Sequence, residues 1–160
     1  FLFFYQNGLI MLFTLPILVA LKGKGVPLGL LDYIAAAAIL FLIIIETVAD
    51  QQQWNYQQEK YKRINAGQKP EGIYALGFTH TGLWSYMRHP NYMAEQGIWI
   101  AFYLFSVAAT GSWLNWSIAG CLLLVVLFQG SSDFSEAISA GKYPEYKAYQ
   151  EKTGRFIPKL

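Results

Sequence analysis

The chain has 160 residues, of which 54% are hydrophobic and only 14% charged, with a formal net charge of +2. That balance excludes an ordinary soluble domain and matches a helical membrane protein, and the small net charge excludes nucleic acid as a partner. Cys121 stands alone and the only histidines are His80 and His89, so no disulfide framework is available and a metal centre is not expected.

Residues 1–21, FLFFYQNGLIMLFTLPILVAL, carry no charge and form a first span. They lack a basic start and hold Gln6-Asn7 and Pro16 internally, which argues against a cleaved signal peptide. A chain that begins at Phe1 reads as the later part of something longer. YIAAAAILFLIII, extended back to Val26, makes a second span of roughly 20 residues with Asp32 near one end. The following ETVADQQQWNYQQEKYKRINAG continues as a polar helix, stopped by Asn65-Ala66-Gly67 and Pro70, and residues 67–83 form a glycine-punctuated loop. Met93 to Ala109 and Trp113 to about Gln129 are the third and fourth spans, joined by Thr110-Gly111-Ser112. A short helix from about Pro144 to Lys152 closes the chain, with Gly154 just past its end. The expected fold is therefore all-α, a single polytopic membrane domain over residues 1–160 with about four spans, a polar helical extension and a short C-terminal helix.

Cationic residues resist translocation, and they concentrate in two places. Residues 50–90 hold Lys60, Lys62, Arg63, Lys69 and Arg88, and the tail after 134 holds Lys142, Lys147, Lys152, Arg155 and Lys159. Both polar segments are expected on the cytoplasmic side, and chemistry is expected there. Helical spacing puts Glu46, Asp50, Gln53 or Trp54, and Gln57 on one stripe, and Asn91, Glu95 and Trp99 on another. Pro90 suits a first helical turn, which would leave Arg88 and His89 beside free backbone N–H groups, a place suited to an anion. Carboxylates near the apolar boundary, such as Glu46 and Glu95, point to function more than to a solvated surface. Trp84, Tyr86, Arg88, His89 and Tyr92 also fit a plain interfacial belt, and the residues alone leave both readings open.

TGLWSYMRHPNYMAE, preceded by ETVADQQQW and followed by KYPEYKAYQEKTGRFIP, resembles the steroid 5α-reductase superfamily, in particular its bacterial DUF1295-type members. The resemblance runs from about Leu15-Pro16 to Pro158. It implies a multi-pass NADPH-dependent oxidoreductase acting on CH–CH groups, reducing a double bond conjugated to a carbonyl in a steroid-like or other lipid substrate, with the cofactor side cytoplasmic. On that resemblance, Glu46 and Asp50 match the acidic helix facing the cofactor, and Arg88, His89, Asn91, Tyr92 and Glu95 match the cofactor wall. Trp84 and Tyr86 would cover a ring face, while Ser131, Ser132, Glu136, Tyr149 and Arg155 would close the cavity. Ala94 stands where the family usually has glycine. The groups that polarise the substrate carbonyl in steroid reductases lie in further N-terminal helices, with which this chain is expected to associate. A rival reading is an S-adenosylmethionine-dependent membrane methyltransferase of the isoprenylcysteine or phospholipid type. It shares the Arg-His-Pro-x-Tyr stretch, but the SSDFSE segment lacks the adjacent glutamates of that group. A non-catalytic membrane subunit with the same architecture is a third.

Overall fold

The computed structural model describes residues 2–159, with side chains from Gln6 onward. Among the described residues every regular element is helical. Helix α1 (Leu2–Phe13) and helix α2 (Leu15–Ala20) are separated at Thr14, because Pro16 in the first turn of α2 has no N–H to continue the ladder. A single 3-10 turn, Leu21–Gly23, follows α2.

Helix α3 (Leu30–Asn65) has 36 residues, about 54 Å of helix at 1.5 Å per residue. Its start is fixed by the Asp32 carboxylate, which accepts the Gly29 N–H at 2.8 Å in the reciprocal half of a capping box. Its end is set by Gly67 at φ 71°, where the N–H groups of Gly67 and Gln68 return to the carbonyls of Ile64 and Arg63, both at 3.0 Å. The sequence expects that stop at the same residues. Between these ends the helix changes from an apolar first half to one of glutamine, lysine and tyrosine, so one element serves two environments.

The loop 66–89 contains two short 3-10 turns, Gly72–Tyr74 and Gly82–Ser85. Helix α4 (Pro90–Thr110) opens on Pro90 as expected, helix α5 (Ile118–Lys142) follows, and helix α6 (Tyr146–Lys152) is the last. Two expectations are corrected. Among the described residues three segments are long and apolar enough to cross a membrane, Gln6–Gly23, Leu30–Asn65 and Ile118–Lys142, where the sequence reading has four. Asn91, Glu95 and Gln96 dilute the first turns of α4 too far for it to qualify. The last span begins at Ile118 instead of Trp113, because Asn115 holds residues 113–117 as a loop, accepting the Ser117 N–H at 3.1 Å and the Ser117 hydroxyl at 2.6 Å.

The chain divides into two compact units, residues 1–43 with 95–129 and residues 44–94 with 130–160. The first is apolar. Tyr103, Val107 and Cys121 form its buried centre with Leu31 and Ile118 packed on them, and the Phe13 and Trp99 rings meet at 5.6 Å. Ile10, Met11, Leu40, Phe41, Leu122 and Val126 are exposed. That much uncovered apolar surface is what a bilayer solvates and water does not. Its polar groups pair internally: Tyr103 Oη donates to the Trp113 carbonyl at 3.0 Å, and Asn115 Nδ2 to Ser106 Oγ at 3.1 Å. Such pairing is obligatory where no water competes.

Candidate functional site

The second unit holds the cationic and aromatic residues singled out by the sequence. Its organising contact is an ion pair. Arg88 Nε donates to Glu136 Oε1 at 2.8 Å and a terminal nitrogen donates to Oε2 at 3.1 Å, a two-pronged geometry between side chains 9% and 4% exposed. The other terminal nitrogen donates to the carbonyls of Gln150, at 3.0 Å, and Thr153. Glu136 also meets His89 Nε2 at 2.9 Å and accepts from Gln150 Nε2 at 2.6 Å. Burial lowers the His89 pKa more than its hydrogen bond to Glu136 raises it, so the imidazole is neutral near pH 7 and donates through Nε2.

The backbone repeats this link between α4 and the tail. The N–H groups of Arg88 and His89 donate to the carbonyls of Gly154, at 2.8 Å, and Arg155, at 3.0 Å. Gly154 is needed because a Cβ there would stand 1.8 Å from the Ile157 carbonyl oxygen. The tail's own carbonyls thus take the N–H groups of the two residues before α4, and within its first turn the Tyr92 N–H is held by Asn91 Oδ1 at 3.0 Å. Arg88, expected to suit a phosphate, donates to Glu136 and to two tail carbonyls.

Beside this clasp lies a cavity of about 300 Å³, lined by α3, the 66–89 loop, the start of α4, the end of α5 and α6. Trp84, Arg88, His89, Asn91, Tyr92 and Tyr149, all anticipated, line it. Trp84 Nε1 donates to the Ala49 carbonyl at 3.0 Å and the Tyr149 hydroxyl donates to the Trp84 carbonyl, so both rings are held in place. Asn91 Nδ2 donates to Asp50 Oδ1 at 2.9 Å, which fixes the amide and gives Asp50 a supporting part outside the lining. Glu136 also supports from behind, through Arg88 and His89.

Other anticipated residues lie elsewhere. Tyr86 is 64% exposed and outside the lining. Arg155 pairs with Asp133 at 2.6 Å and reaches Ser132 Oγ at 3.4 Å. Glu46 is half-buried on α3, and Ser131 is exposed on α5. Glu95 belongs to the first unit, where its carboxylate accepts from Trp99 Nε1 at 2.9 Å.

Residues that the sequence reading left as packing or gave no site role also line it, among them Thr79, Ser135, Ser139, Lys142, Tyr143 and Tyr146. Gln53 and Gln57, on the polar stripe of α3, are there too. Ser135, Ser139 and Lys142 recur at helical spacing, a signal that could have marked this face of α5. Phe78 packs edge-on to Tyr146 at 5.0 Å and against Tyr149 at 5.2 Å. Burial pushes Tyr146 up to about 12 and Tyr149 further, so both phenols stay protonated.

Among the described residues, three segments long and apolar enough to cross a bilayer, together with a polar cavity walled by a buried ion pair and aromatic rings, give the chain the makeup of a helical membrane protein. Within that class the family is specific. The chain belongs to the DUF1295 family, described as a protein family of unknown function, whose model matches residues 1–153. It is 43% identical over 146 residues to Uncharacterized protein C594.04c of the fission yeast Schizosaccharomyces pombe, an alignment covering 88% of this chain and 42% of that protein. The chain thus spans less than half the length of this curated relative. No solved structure matches it.

Proposed function

We propose that this chain is the cofactor-binding part of an NADPH-dependent membrane reductase of the steroid 5α-reductase type, acting on a carbon–carbon double bond conjugated to a carbonyl in a flat lipid. The observation that carries the reading is the cavity's combination of immobilised ring faces with neutral amides. Trp84 and Tyr149 are pinned by hydrogen bonds and Asn91 is oriented by Asp50, while Gln53 and Gln57 bring further donors and acceptors. These residues fit the nicotinamide and its ribose. They fit phosphates less well, since Arg88 is committed to Glu136, Lys62 and Arg63 pair with Glu59, and Lys60 is buried against the Gly77 carbonyl at 3.0 Å. Lys142, exposed at the end of α5, is the lysine that lines the cavity.

The bound dinucleotide would supply a hydride to the substrate. The chain's own part is positional: the rings exclude water, Asn91 and the glutamines set orientation, and the Arg88–Glu136 clasp holds the tail over the site. A second reading, S-adenosylmethionine-dependent methyl transfer, draws support from the same shortage of uncommitted cations, since that ligand has no phosphate and its sulfonium suits tyrosine and tryptophan faces. Calorimetric titration of the detergent-purified chain decides between them. Binding of NADPH in preference to S-adenosylmethionine is expected; tight S-adenosylmethionine binding without NADPH binding would overturn the reductase reading.

A further inference from the structure

One edge of the cavity carries positive charge that nothing offsets. The lining holds two cations, Arg88 and Lys142, and no carboxylate, and Arg88 is neutralised by Glu136. Lys142, exposed in the last turn of α5, forms no ion pair among the described residues. Its ammonium bonds the Tyr143 phenol and lies 5.3 Å from the centre of that ring. Tyr143 is itself fixed: its ring meets Phe78 at 5.7 Å, and a Cβ on Gly77 would stand 2.5 Å from its Cε1. A second ammonium shares the ring. Lys60, 4% exposed, donates to the Gly77 carbonyl at 3.0 Å and lies 5.9 Å from the Tyr143 centroid, again without an ion pair among the described residues. Two like charges beside one ring repel each other, and at this range salt screens them only in part. An anion bound there would relieve both.

We infer that the Lys142–Tyr143 edge of the cavity is a phosphate subsite, where the Lys142 ammonium and the Tyr143 hydroxyl hold a phosphate of the ligand and the buried Lys60 charge strengthens the field. This rests on the reductase reading and deepens it, because it gives the phosphates of the dinucleotide a place. A phenol oxygen that accepts from an ammonium keeps its own O–H to donate, so lysine and tyrosine can serve one oxyanion together. The serines on the same face of α5 are less free to do so: Ser139 is bonded to the Tyr146 phenol, and Ser135 Oγ donates to the Ser132 carbonyl at 3.3 Å. The lining is also divided by charge. Neutral amides come from α3 and α4, as Gln53, Gln57 and Asn91, and the unpaired cation comes from the end of α5, a division that suits a ligand with one neutral and one anionic part. A cavity of about 300 Å³ is at the small end for ligand sites, so a dinucleotide would extend past the rim, where Lys142 is exposed.

The test uses the full chain in detergent, as wild type, Lys142→Met, Lys142→Arg and Lys147→Met, titrated calorimetrically with NADPH at low and at moderate salt. Lys147 is exposed on α6 and outside the lining, so its loss changes net charge equally without touching the cavity. Expected are a roughly tenfold or greater loss of NADPH affinity in Lys142→Met, with a shallower dependence on salt, near-wild-type affinity in Lys142→Arg and Lys147→Met, and an unchanged melting temperature in all three. Wild-type affinity in Lys142→Met would overturn this inference alone and leave the reductase reading intact. Equal losses in Lys142→Met and Lys147→Met would overturn it by assigning the effect to net charge. A loss with a lowered melting temperature and an unchanged salt dependence would also overturn it, making Lys142 a cap on the carbonyls that end α5. A wild type that binds no NADPH removes the reductase reading, and this assignment with it.

Discussion

Arg88 and Glu136 meet through two hydrogen bonds, at 2.8 and 3.1 Å, with both side chains almost fully buried. They join the start of α4 to α5, and through the Gln150 and Thr153 carbonyls Arg88 also holds the tail. Removing one member of such a pair strands the other charge. Glu136→Ala should lower stability by about 3–5 kcal/mol, and replacing both residues by apolar side chains of similar volume should recover much of that. Thermal unfolding of the purified variants checks this. If Glu136→Ala were as stable as wild type, the clasp would not hold the unit together.

His89 gives the clasp a pH dependence with a definite sign. Burial depresses its folded pKa below the ordinary 6.5, so the unfolded chain takes up a proton first as pH falls. Stability from this group is full above 6.5 and is lost as pH drops through the folded value. Melting temperature should therefore fall on acidification below 6.5, and His89→Gln should flatten the fall while keeping a donor to Glu136. An equally steep profile in the variant would assign the acid sensitivity to other groups.

Asn91 and Glu95, one helical turn apart, should have different effects on ligand binding. Asn91 lines the cavity and is held by Asp50, whereas Glu95 accepts from Trp99 in the other unit. Asn91→Ala should weaken NADPH binding by about 1–3 kcal/mol. Glu95→Ala should leave binding near wild type and lower thermal stability instead, because it strips the Trp99 N–H of its acceptor. Equal binding losses in both would mean that Glu95 reaches the ligand.

Gln68 and Lys159 are both exposed and both belong to the second unit. Cysteines placed there, with Cys121→Ala as background, should react with a membrane-impermeant maleimide from the same face of sealed vesicles. Labelling from opposite faces would be incompatible with a single compact polar unit.

What the sequence determined by itself is local. Apolar runs, proline placement and glycine stops depend on neighbours within a turn or two, so the all-helical class, the end of α3 at Asn65–Gly67 and the start of α4 at Pro90 are legible without coordinates. Periodicity also found the α3 stripe through Gln53 and Gln57, and the family resemblance brought Trp84, Asn91, Tyr92 and Tyr149 to the cavity's surroundings. Partner choice was decided only by tertiary structure. Arg88 and Glu136 are 48 positions apart, and nothing in the spacing of either shows that a buried guanidinium will spend its donors on a carboxylate and two carbonyls. The same holds for the N–H groups of Arg88 and His89, which the tail occupies, and for Glu95, which helical spacing groups with Asn91 but which bonds Trp99. Desolvation sets these outcomes: a buried donor must take whichever acceptor the fold brings within reach, and long-range packing alone decides which acceptor that is.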